Sequence, residues 1–170
     1  MANGFKALRH VGGGAQRYIE YPLTPASTAA IYNGDAVQID ATLGTIEIAA
    51  LDVATGVGVF IGCRYVNSGG SQIFSNSWPA DTAATEAYAI VSADQEVTYK
   101  VVAAAATQAS VGDLFETVDN GSETLGLSTQ TVIAGASSGP WVMVSLLPAA
   151  SNGDVMIEVR ALTAMLGGSV

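Results

Sequence analysis

The chain has 170 residues, enough for one domain with a proper core, and it has no apolar run near the ~18 residues of a membrane-spanning helix. Fifteen Asp and Glu against six Lys and Arg give a net charge of −9, which argues against general nucleic-acid binding, because phosphate contacts need a basic footprint. Charged residues are only 12% of the chain, fewer than the average of about 25%, and this suits either a surface covered by partners or an ordinary β-protein rich in small residues.

The first 30 residues differ from the rest. "MANGFKALRHVGGGAQRY" holds Lys6, Arg9 and Arg17, the only histidine (His10), three consecutive glycines and no acid. Residues 18–170 therefore carry fifteen acids against three cations, a net −12. The stretch is Gly-, Pro-, Ala-, Ser- and Thr-rich, and Pro22 and Pro25 hold the chain extended. It reads as an arm over residues 1–30, with an edge strand around "RYIEY" (17–21) and a hinge at Gly12–Gly14, attached to a β-rich body over 31–170.

Short β-segments between turn residues dominate the body. In chain order they are "DAVQID" (35–40), "GTIEIAAL" (44–51), "GVGVFIGCRYV" (56–66), "AYAIVS" (87–92) and "QEVTYKVV" (95–102), followed by "DLFETV" (113–118), "TLGLST", "QTVIA", "WVMVSLL" (141–147) and "DVMIEVRAL" (154–162). In 95–102 the alternation puts Val97, Tyr99 and Val101 on one face and Thr98 and Lys100 on the other. Three Gly-Asp pairs, at Asp35, Asp113 and Asp154, each precede an apolar strand, with glycine supplying the turn and aspartate tying its backbone. Turn signals recurring every ~8–12 residues predict an all-β fold, a single β-barrel or β-sandwich body of about 8–10 short strands with an extended N-terminal arm. "ALDVATG" (50–56) and "VVAAAATQASVGD" (101–113) each have room for a helical turn. The polar loop "NSGGSQIFSNSWPADT" (67–82) carries Phe74 and Trp78, which either anchor it to the body or meet a partner.

The candidate chemical motifs fall short of their requirements. "GASSG" (135–139) matches a nucleophile elbow at Ser137, yet a strand follows it and the one histidine lies in the leader. "GGG" lacks the Lys-Ser/Thr of a phosphate loop. "DNGSE" (119–123) lacks the full spacing of a calcium loop and reads as a hairpin turn, and Asn120 heads a glycosylation sequon. The carboxylate pairs Asp94/Glu96 and Glu116/Asp119 each share a strand face, as exposed acids commonly do. His10 alone is a polar arm residue or a pH-sensitive contact. With one Cys and one His, no metal-ligand spacing is present, and Cys63 among apolar neighbours reads as a buried small hydrophobe. No catalytic residue, metal or cofactor is expected. The opening has charge but no apolar h-region, so synthesis in a cytoplasm is the expectation.

The opening "MANGFKALRHVGGGAQRYIEY" resembles the start of a family of small tailed-phage structural proteins, which begin Met-Ala-Asn-Gly-Phe and continue through a basic stretch to an aromatic strand. "YNGDAVQID", "GVGVFIGCRYV" with its "SNSWPAD" loop, "YAIVSADQEVTYKV" and the late "PWVMVSLLPAASNGDVMIEVRAL" resemble the family's segments in the same order, to about residue 162. The family is that of capsid decoration, or head cement, proteins. The resemblance implies a non-enzymatic virion protein on the outer capsid surface, with the major capsid protein and sister copies, as trimers or dimers, for partners. It implies neither a nucleic-acid nor a membrane partner. It makes residues 1–30 a capsid-binding arm, with Phe5, Lys6, Arg9, His10, Arg17 and Tyr18 as contacts, and Phe74 and Trp78 as a second contact loop. The alternatives are another virion β-protein, such as a tail-tube subunit, and a carbohydrate-binding or hydrolytic β-sandwich.

Overall fold

The structure is a computed structural model that describes residues 4–25, 27–49, 57–118, 127–134 and 139–162. In chain order the strands are β1 (Lys6–His10), β2 (Tyr18–Pro22), β3 (Ile31–Tyr32), β4 (Ala36–Ile39), β5 (Ile46–Ile48), β6 (Val57–Asn67), β7 (Gln72–Ser75) and β8 (Ser77–Trp78). They continue with β9 (Ala84–Ser92), β10 (Val97–Ala103), β11 (Leu114–Val118), β12 (Thr131–Ala134), β13 (Trp141–Leu146) and β14 (Val155–Ala161). The one helical element among the described residues is a 3-10 turn, Gln108–Ser110, inside the alanine-rich segment where a helical turn was expected. The all-β expectation therefore holds.

Five strands close a barrel in the order β10-β12-β11-β13-β14, and β14 pairs back onto β10 from Thr98↔Arg160 to Ala103↔Val155. The alternation in β10 fills it: Val97, Tyr99, Val101 and Ala103 point inward and are buried, against Phe115, Val132, Trp141, Met143, Ile157 and Val159 from the other walls. Each Val, Ile, Phe or Met among them contributes about 1.5–3 kcal/mol on full burial. The second sheet runs β2-β9-β6-β4-β5, with β7 also on β6. It curls until its outer strands meet at a single bridge, Leu23↔Ile46. Val37, Phe60, Cys63, Trp78, Ala89 and Val91 fill its core. Gly62 is required there, because a Cβ would come 2.7 Å from the Ser75 carbonyl oxygen of the β7 hairpin.

The Gly-Asp turns form as expected in their glycines. Gly34, Gly112 and Gly153 all take positive φ (93°, 94° and 87°), the left-handed region where a side chain is strained. The aspartate tie is seen at Asp35, whose Oδ2 accepts the Tyr32 N–H at 2.7 Å.

Two expectations change. The segment 67–82 is not a plain loop: β7 extends the second sheet and β8 pairs with β3. The leader is extended as expected, but within it residues 4–25 are laid against the body. β1 pairs antiparallel with β10, and β2 pairs antiparallel with β9. The helical turn expected over 50–56, the "DNGS" turn with its calcium and sequon readings, Asp119 and Ser137 lie outside the described residues. Among the described residues, no helix is long and apolar enough to cross a membrane.

Candidate functional site

Because β9 and β10 are consecutive, the leader runs alongside both and crosses from one sheet to the other where they do. Its turn at 11–17 faces the β9–β10 connection at 93–96. An open cleft of about 700 Å³ lies between the two, lined by residues that include His10, Gln16, Arg17, Asp94 and Glu96.

His10 ends β1 and is mostly covered. Its Nε2 lies 3.3 Å from Asp94 Oδ2 and 3.5 Å from Glu96 Oε2. The Gly14 N–H donates to His10 Nδ1 at 3.1 Å. A ring nitrogen that accepts a hydrogen bond carries no proton, so the neutral imidazole holds its proton on Nε2, the nitrogen on the side of the two carboxylates. The donor atoms of His10, Asp94 and Glu96 lie within 4.8 Å of one another, near enough for one cation to touch all three. A cation on Nε2 would need that proton removed and Nδ1 turned into a donor, facing the Gly14 N–H. The amide thus favours the hydrogen-bonded form over a metal-bound one. In the sequence His10 and the Asp94/Glu96 pair stand apart, and only the antiparallel register of β1 on β10 joins them.

A second tie lies beside the cleft. Tyr18 Oη donates to Gln16 Oε1 (3.1 Å), and Gln16 Nε2 donates to Ser92 Oγ (2.6 Å). Ser92 Oγ shares a 2.6 Å hydrogen bond with the hydroxyl of buried Tyr99. Burial pushes the Tyr99 phenol up to about 12.

The residues named from the sequence separate into two groups. Phe5 is a core residue: 2% exposed, stacked on Trp141 with ring centroids 4.4 Å apart, and edge-on to Tyr99. Its N–H donates to the Gly34 carbonyl, and the Gly4 N–H to that of Ser128, so the leader's start is fixed at the junction of the two sheets. Arg9 crosses the outer face of the barrel to Glu158, with Nε to Oε1 at 2.7 Å and Nη2 to Oε2 at 3.1 Å. Ser145 Oγ donates to the same carboxylate at 2.7 Å. Burial raises the Glu158 pKa, but hydrogen bonds from Arg9, Ser145 and Thr98 outweigh it and hold the carboxyl below the usual range. Trp78 is fully buried against the edge of Tyr65. Contact with a partner through Phe5 or Trp78 is therefore closed in this fold, because the apolar ring is worth more in the core.

Lys6, Arg17, Tyr18 and Phe74 remain outward, with Phe74 70% exposed at β7. The loop's two aromatic residues thus split the two expectations: Trp78 anchors and Phe74 faces out. Cys63 is buried as expected, and burial pushes its thiol up to about 11. Fold and site define an all-β protein with a closed barrel and a strapped-down cationic leader. No family model matches the chain, and no curated protein or solved structure matches it.

Proposed function

We propose that the protein is a capsid decoration protein: a virion structural component that binds the outer surface of a tailed-phage head and steadies the capsomer lattice. The ordered resemblance of its segments to that family motivates the reading. The observation that carries it is the set of large side chains held outward on paired strands, with Phe74 at 70% and Tyr18 at 54% exposure. Exposed aromatic groups on fixed backbone suit protein contact, since little ordering entropy is lost on binding. Repetition of modest contacts around a shell supplies strength through multivalency.

Cosedimentation of the full chain with expanded and with immature heads of the phage that encodes it tests the reading. Saturable binding to expanded heads is expected, weakened in Phe74→Ala and Tyr18→Ala. Absence of binding to either form overturns it, and electron microscopy that shows the purified protein stacking into tubes assigns it to a tail instead.

A further inference from the structure

Four of the six Lys and Arg residues fall on one face of three adjacent strands. In β1, β10 and β14 the register sets Lys6 opposite Lys100, and Lys100 opposite Glu158. The next row sets Arg9 opposite Thr98, and Thr98 opposite Arg160. Directly opposed residues of an antiparallel pair share a face, and so do residues two apart on one strand. Tyr99, Ile157 and Val159 take the inner face, so Lys6, Arg9, Lys100, Glu158 and Arg160 all project outside the barrel.

Glu158 is covered and paired with Arg9. That leaves Lys6, Lys100 and Arg160 without an ion-pair partner among the described residues. Lys100 has Lys6 as a cross-strand neighbour and Arg160 as a diagonal one, each roughly 5–8 Å away, so the three cations form one continuous patch. Lys6 directly opposite Lys100 is destabilising for a strand pair. The fold loses from that opposition even with Glu158 across from Lys100, whereas a ligand's anionic groups would relieve it.

We propose that this outer face of β1, β10 and β14 is a docking surface for a carboxylate-rich segment of a partner protein. The size of the patch and the charge around it select that ligand class. Duplex nucleic acid carries one charge per ~1.7 Å, so it would extend past three cations onto a protein whose net charge is −9. A short acidic segment places two or three carboxylates on the patch and little charge beyond it. The inference stands independently of the capsid reading.

The test is fluorescence anisotropy of a labelled eight-residue peptide alternating Glu and Thr, at 50 and 300 mM salt, with a labelled 12-bp duplex DNA in parallel. Wild type is expected to bind the peptide, more weakly at the higher salt, and to bind the DNA less well. Lys100→Gln/Arg160→Gln should weaken peptide binding at least tenfold with an unchanged far-UV spectrum. The charge-matched Gln72→Glu/Thr85→Glu, at exposed positions of the other sheet, should change it less than twofold. Lys6→Gln alone should weaken it severalfold, which keeps the test open if the double variant unfolds. Equal loss in both double variants, DNA bound as tightly as peptide, or no peptide binding at millimolar concentration overturns the proposal.

Discussion

Replacing Phe5 with alanine separates a strapped leader from a free arm. The ring is 2% exposed and lies flat on Trp141 at 4.4 Å, inside the barrel core. Removing a buried phenylalanine costs about 3–5 kcal/mol, transfer and cavity terms together. That is a large part of the 5–15 kcal/mol of a typical domain. For a chain of this length each kcal/mol is worth about 2–4 °C in Tm, so a fall of roughly 6–20 °C is expected. Urea unfolding followed by tryptophan fluorescence and by far-UV circular dichroism measures it, with Trp141 reporting from the site of the change. Phe5→Leu should recover more than half of the loss. A Phe5→Ala variant within about 1 kcal/mol of wild type would mean that the ring's burial contributes nothing and that the leader is detachable.

Four further outcomes follow from the same contacts. Lys6→Glu turns the opposed Lys6–Lys100 pair into an attractive one and should raise the urea midpoint; a lower midpoint contradicts the like-charge reading. Glu158 is held below its ordinary pKa, so it contributes stability that is present above about pH 4.5 and lost as pH falls through its folded-state value. Arg9→Ala lets that value rise, and acid unfolding followed by circular dichroism should move to higher pH; an unchanged midpoint refutes the tie. Trp141 Nε1 donates to Thr117 Oγ1 at 2.9 Å, whereas buried Trp78 Nε1 has no hydrogen-bond partner among the described residues, so Trp141→Phe should cost about 1–2 kcal/mol more than Trp78→Phe. With its thiol pushed up to about 11, roughly a thousandth of Cys63 is ionised at pH 8, and alkylation should run at the rate of opening rather than of the thiol; rapid labelling of the folded protein refutes its burial.

The strands that form the cores were legible because alternation records burial on one side. Val97, Tyr99 and Val101 announced β10, and Gly34, Gly112 and Gly153 announced turns that need positive φ. β1 left no such trace. All but the last of its residues are exposed, and a bulge between Ala7 and Arg9 breaks its period, so its sequence carries no inward face to read. What holds it is main-chain pairing with β10 and Phe5, which lies just before the strand. Exposed and buried aromatic residues also look alike in sequence: Phe74 and Trp78 are four apart, yet one is 70% exposed and the other fully covered. The His10–Asp94–Glu96 grouping depends on the register of strands more than 80 positions apart, and no local pattern encodes it.

The leader's basic residues have three different employments, and these change what a partner could meet. Arg9 is spent on Glu158 across the outer face of the barrel. His10 fastens the leader's crossing to the β9–β10 connection. Among the leader's described residues Lys6 and Arg17 are the charges that project freely, and Lys6 does so on the same face as Lys100 and Arg160, which lie far along the sequence. A contact surface built in this way belongs to the folded barrel rather than to the first residues of the chain. Deleting the leader would remove Phe5 and β1 together with the charge, so loss of binding in a truncation would report unfolding as readily as a missing contact. Substitutions that keep the backbone pairing and change only outward charge, at Lys6, Lys100 and Arg160, isolate recognition from stability.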